Sequence, residues 1–80
     1  MQVKITAFGI TRDIVGASSL ELELPNEASV SDLRQALGTK YPKLANLTSL
    51  AIAVNQEYAQ NDIQLTENDE VVLIPPVSGG

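Results

Sequence analysis

Residues 70–74 read EVVLI, and residues 75–80 continue as PPVSGG. A strand sends alternate side chains to opposite faces, so Val71 and Leu73 take one face and Val72 and Ile74 the other. Both faces are therefore apolar. A strand with one wet face would alternate apolar with polar residues, whereas a strand apolar on both sides reads as a central one. The rest of the chain has to supply its neighbours and its cover.

Before it, LTEND (65–69) makes a polar turn in which Asn68 is expected to accept a left-handed backbone conformation. LAIAVN (50–55) reads as a strand, NQEY (55–58) as a turn, and a short extended piece follows near Tyr58 and Ala59. At the start of the chain VKITAF (3–8) alternates, with Val3, Ile5 and Ala7 pointing one way and Lys4, Thr6 and Phe8 the other. After a loop holding Arg12, Asp13 and Gly16, SLELEL (19–24) alternates again, with Leu20, Leu22 and Leu24 inward and Glu21 and Glu23 in water. Pro25 and Asn26 end that strand. Two strands joined by so short a loop read as an antiparallel pair with one wet face.

The period changes in SVSDLRQALGTKYP (29–42), where Val30, Leu33, Ala36 and Leu37 fall on one helical face. Ser29 suits the N-cap, and Asp32 three residues on completes a capping-box variant at the positive end of the helix. Gly38 is expected to begin the end of the helix, and Pro42 forbids much continuation. The order is strand, strand, helix, strand, short strand, strand. The first and last strands can pair in parallel at the middle, a pairing that the resemblance given below implies, with the single helix across one face. The expected fold is an α+β roll of the ubiquitin-like β-grasp kind, a mixed sheet with one main helix.

Eighty residues make one domain, and an apolar content of 44% suffices for a compact aliphatic core. The expected division is a β-grasp domain over 1–76 and a flexible tail over 77–80. The chain has no Cys, which excludes a disulfide framework, a thiolate metal site and a cysteine nucleophile. It has no His, the commonest general base and metal ligand, so no metal site is expected. The opening MQVKITAFG has no apolar signal-like core, and no apolar run approaches the roughly 20 residues of a membrane helix. The expectation is a cytoplasmic protein that does not bind membranes. Ten acids against five bases give a net charge of −5, which argues against nucleic acid and fits either simple solubility or a basic protein partner. The acids lie mostly on wet faces and in turns, so the chain by itself does not read as an enzyme.

Two features remain. Phe8, Tyr58 and Ile74 fall where the helix does not cover the sheet; they form either an apolar partner interface or a mere cover for the sheet edge and a loop. The tail couples a stiff Pro75-Pro76 exit to Val77, Ser78, Gly79 and Gly80. The α-carboxyl of Gly80 is ionised at neutral pH, its pKa being roughly 3.5. An ionised carboxylate can attack the α-phosphate of ATP inside a partner that holds the nucleotide and magnesium, giving an acyl adenylate. Four extended residues project such a group roughly 13–14 Å, and Gly-Gly has no side chains to obstruct entry into a narrow pocket.

FGITRDIVG (8–16), AVNQEY (53–58) and above all LTENDEVVLIPPVSGG (65–80) resemble the sulfur-carrier small subunits of molybdopterin synthase, over essentially the whole chain. That family commonly has Gly where this chain has Asn68. The resemblance implies that a ubiquitin-activating-type enzyme adenylates Gly80 with ATP and magnesium, and that a sulfur donor system then leaves a thiocarboxylate there. It further implies that residues 75–79 insert into the large catalytic subunit, that sulfur goes to a cyclic pterin precursor, and that two small and two large subunits form a heterotetramer. No cofactor is expected on this chain alone. A sulfur carrier for thiamine or tRNA thiolation, a lysine-attached ubiquitin-like modifier, and a passive interaction domain with an inert tail are the alternatives.

Overall fold

The computed structural model describes residues 1–47 and 50–75. Among these residues five strands form one mixed sheet: β1 (Gln2–Ala7), β2 (Ser19–Glu23), β3 (Ala51–Val54), β4 (Glu57–Tyr58) and β5 (Val71–Ile74). Their spatial order is β2-β1-β5-β3-β4, so the doubly apolar EVVLI segment does lie at the centre. β5 runs parallel to β1, with Ala7 beside Leu73, and antiparallel to β3, with Ile52 beside Leu73. β1 and β2 pair antiparallel, Val3 opposite Leu22 and Lys4 opposite Glu21. The expected alternation holds: Val3, Ile5, Ala7, Leu22 and Leu24 are buried, while Lys4, Glu21 and Glu23 are exposed. This is the β-grasp arrangement of a mixed sheet around one main helix.

Among the described residues three helices accompany the sheet: α1 (Gly9–Val15), α2 (Val30–Lys40) and α3 (Pro42–Ala45). The main one, α2, buries Val30, Leu33 and Leu37 in the common core. Its capping box forms as expected: Ser29 Oγ accepts from the Asp32 N–H at 3.3 Å, and the Ser29 N–H donates to Asp32 Oδ2 at 2.9 Å. Gly38 does not begin its end, because the helix runs on to Lys40 and closes with the Tyr41 N–H on the Leu37 carbonyl. A Cβ on Gly38 would stand 3.3 Å from that of Ala45, so this glycine lets α3 approach α2 closely. Pro42 is both the stop of α2 and the first residue of α3, where its missing N–H costs nothing.

The stretch read as a loop around Arg12 and Asp13 is α1. No Ser, Asp or Asn precedes it. Instead Thr11, fully buried in the first turn, reaches back: its hydroxyl accepts from the Phe8 N–H at 3.0 Å and donates to the Phe8 carbonyl. Gly16 closes the helix at φ +81°, its N–H on the Arg12 carbonyl, a left-handed cap that favours glycine.

Asn68 does not take the left-handed conformation expected of it; outside glycine that conformation falls on Glu27, Asn55 and Gln56 among the described residues. Asn55 and Gln56 form the β3–β4 hairpin turn, which needs two positive φ values in succession. The Asn55 side chain also fastens the hairpin to the turn before β5. Its amide donates to Asp69 Oδ1 at 2.9 Å, and its carbonyl oxygen accepts from the Glu70 N–H at 3.0 Å. Partial desolvation raises the Asp69 carboxyl pKa, but the Thr66 N–H on Oδ2 at 2.7 Å, the Asn55 amide and the Thr66 hydroxyl together outweigh it and hold the pKa below the usual aspartate value. A carboxyl whose pKa falls on folding contributes stability above its unfolded pKa, roughly 3.9, and loses it as pH falls through the lower folded value. Asp69→Asn is therefore expected to be less stable than the parent at neutral pH, with the difference closing in acid below pH ~4. Urea melts of both proteins across that range would show it; a constant difference would mean that the charge plays no part.

Candidate functional site

The helices leave one face of the sheet open, and the strand register shows which side chains stand on it. Residues paired across strands share a face. One row runs Ser19, Thr6, Val72, Ala53, Tyr58, and the next joins Ile74 to Ala51. The face divides in two. Over β2 and β1 it is polar, carrying Glu21, Glu23, Gln2, Lys4 and Thr6, with Lys4 and Glu21 directly opposed. Over β5, β3 and β4 it is apolar. Ala53 is only 6% exposed yet lies outside the core cluster, because Val72 and Tyr58 stand on either side of it on the open face.

Phe8 follows β1 in an extended conformation, φ −128° and ψ 157°, so its side chain keeps the parity of Lys4 and Thr6. Continuing the Ala7–Leu73 register places it beside Ile74. It is 54% exposed and Tyr58 is 76% exposed, large values for an aromatic ring in a folded domain. Tyr58 does not adjoin Phe8. It stands two strands from β5, about 10 Å away at ordinary strand spacing. The three residues picked out from the sequence are thus two ends and a middle of one apolar stripe, completed by Val72, Ala51 and Ala53. Ile10, in the first turn of α1 and 49% exposed, adds apolar surface next in the chain to Phe8. The sequence signal for it is the i, i+4 spacing of Ile10 and Ile14 ahead of Gly16, which marks α1.

Pro75 follows Ile74 directly and is half-buried. The expected tail residues Pro76, Val77, Ser78, Gly79 and Gly80 lie outside the described residues. Among the described residues no group of three or more acidic side chains gathers to hold a metal ion, and no helix is long and apolar enough to cross a membrane. The charged side chains Lys4, Glu21 and Glu23 line the polar half of the open face, away from the stripe that leads to the chain exit. The stripe as described is an exposed apolar surface that ends at Ile74 and Pro75.

Residues 5–80 match the ThiS family, a span that takes in the apolar stripe and the C-terminal residues. The chain belongs to the ThiS family. Within it, the chain is 39% identical to the molybdopterin synthase sulfur carrier subunit of Dictyostelium discoideum, covering 99% of this chain and 96% of that one. The putative molybdopterin converting factor subunit 1 of Pyrococcus furiosus has the same fold at a TM-score of 0.89 and 30% identity, covering 96% of this chain and 99% of that one. A Helicobacter pylori chain from a complex of subunits 1 and 2 of molybdopterin-converting factor matches over 100% of both chains, at 26% identity and a TM-score of 0.69. The function of this ThiS-family chain is that of a molybdopterin synthase sulfur carrier, in molybdenum cofactor biosynthesis.

Proposed function

We propose that this sulfur carrier works through the carboxylate of Gly80, presented by residues 75–79 and delivered by docking of the open sheet face. The observation that carries this reading is the continuity of the apolar stripe with the chain exit: Ile74 ends β5 on the open face, and Pro75 follows it. A partner seated on that stripe has the tail's point of departure at its own surface. In an adenylating partner, a Gly80 carboxylate oxygen attacks the α-phosphorus of ATP and pyrophosphate leaves. ATP and magnesium belong to that partner, and the step runs in the cytoplasm. A sulfur nucleophile from a donor system then displaces AMP at the acyl carbon, leaving a thiocarboxylate.

In the large synthase subunit the same tail presents that sulfur to the pterin precursor. The Helicobacter pylori complex of subunits 1 and 2 supports a partnership of this kind, as does the acidic balance of the chain. Phe8, Tyr58 and Ile74 serve both encounters, since a single stripe leads to a single tail. Two small and two large subunits complete the assembly.

The intact mass after incubation with ATP, magnesium, an activating enzyme and a sulfur donor tests the reading. The expected result is a gain of one oxygen-to-sulfur exchange that disappears when Gly80 is deleted. An unchanged mass, with an activating enzyme shown to charge another carrier, would overturn it.

A further inference from the structure

β1 and β5 leave the sheet side by side. Ala7 pairs with Leu73, and two residues beyond each of them stand Gly9 and Pro75. A Cβ built on Gly9 would lie 3.1 Å from Pro75 Cγ and 3.8 Å from Pro75 Cβ. The first distance is tighter than nine in ten real Cβ contacts, so a side chain at position 9 would push the proline ring aside by a few tenths of an ångström. Gly9 is also at φ +56°, where residues with a side chain are strained. Two independent requirements therefore converge on glycine here, and only one of them is a matter of backbone angle.

The seat is firmly held. Gly9 opens α1, and the residue before it is fastened through both its N–H and its carbonyl to the buried Thr11 hydroxyl. Ile14 and Val15 pack the same helix against the core. On the other side, Pro75 has a fixed φ, so the placement of its ring constrains the direction in which the chain continues.

We infer that Gly9 is a positioning residue: it forms a flat seat for the Pro75 ring, and that contact sets the direction in which the C-terminal segment leaves the sheet. The inference rests on the proposed role of the tail. It assigns docking and aiming to different parts of the surface, the stripe for the first and the Gly9–Pro75 contact for the second. Loss of the seat misdirects the reactive end while leaving the stripe intact, so the effect belongs in kcat for charging rather than in KM.

The test uses the full chain with its activating enzyme, ATP, magnesium and a sulfur donor, following thiocarboxylate formation by intact mass below the melting range of every variant. Gly9→Ala is expected to lower kcat about tenfold with KM within twofold. Gly9→Asn, whose side chain tolerates a left-handed backbone, brings the same Cβ and should show the same loss, which covers the case in which the alanine variant folds poorly. Pro75→Ala takes the ring off the seat and should by itself lower kcat about as much. The double variant with Gly9→Ala should lose little more than either single one, because both changes break the same contact. In the parent protein, nuclear Overhauser contacts between the Gly9 α-protons and the Pro75 ring are expected independently of any charging. Unaltered kcat in the single variants, or losses that multiply in the double variant, would overturn the inference while leaving the carrier reading intact. A parent protein that shows the contacts but is not charged would overturn both.

Discussion

Leu73→Ala should lower the unfolding free energy by about 3–4 kcal/mol, within the range for a leucine truncated in a packed core. Leu73 is fully buried, on the central strand, with Ala7 beside it on β1 and Ile52 beside it on β3. It belongs to the cluster that also holds Val3, Ile5, Leu33 and Leu37, so the cavity would open where sheet and main helix meet. For a chain of 80 residues the whole stability is of the order of 4–12 kcal/mol, so this one change removes a large share of it. The melting temperature should fall by about 15–20 °C, at the several degrees per kcal/mol expected for so small a domain. Val72→Ala, one residue away on the half-covered open face, is the comparison, and should cost about 1 kcal/mol or less. Thermal melts of the two variants decide the matter. Equal losses would mean that the two faces of β5 are equally buried, and with that the open face would disappear.

That contrast between neighbours was legible in the sequence, because burial on a strand alternates and the residues alternate with it. Val3, Ile5 and Ala7 against Lys4 and Thr6, and Leu22 and Leu24 against Glu21 and Glu23, declare their faces without any tertiary information. The two-sided EVVLI segment placed itself at the centre for the same reason. The main helix announced itself through a change of period and through Ser29 and Asp32, whose capping bonds are local. What stayed hidden depends on partners distant in the chain or on the unusual use of a residue. The α1 helix begins with glycine behind a phenylalanine, and its cap comes from Thr11 inside the helix, where a search for N-cap residues does not look. Pro42 was readable as a stop but not as a start, since whether a new turn follows depends on Leu44 finding the core. The turn at Asn55 and Gln56 holds positive φ at a glutamine because the Asn55 side chain is tied to Asp69 and Glu70 beyond the next loop. The glycine at position 9 answers both to its positive φ and to Pro75, which comes from the other end of the chain.

Truncation of the two exposed aromatics of the stripe should weaken partner binding strongly while leaving the fold unharmed, a separation that core changes cannot produce. Phe8 and Tyr58 are 54% and 76% exposed, so neither contributes much burial to the isolated domain. Phe8→Ala keeps the extended backbone and the Thr11 bonds, which involve main-chain atoms of residue 8. Tyr58→Ala uncovers part of Ala53 on a two-residue edge strand. Each change should therefore alter stability by about 0.5 kcal/mol or less, as is usual for surface positions. At an interface the same rings would be fully desolvated, and aromatic anchors of that kind typically cost about 2 kcal/mol or more on truncation. That corresponds to roughly a thirtyfold rise in Kd for each. The two rings lie far enough apart along the stripe to act independently, so the double variant should lose on the order of a thousandfold. Calorimetry against the large subunit, with melting temperatures measured in parallel, separates the outcomes. A loss confined to Phe8 would place the partner over β1 and β5 and leave Tyr58 at its rim. A change under twofold for both, in proteins that melt normally, would show that the open face is not the docking surface.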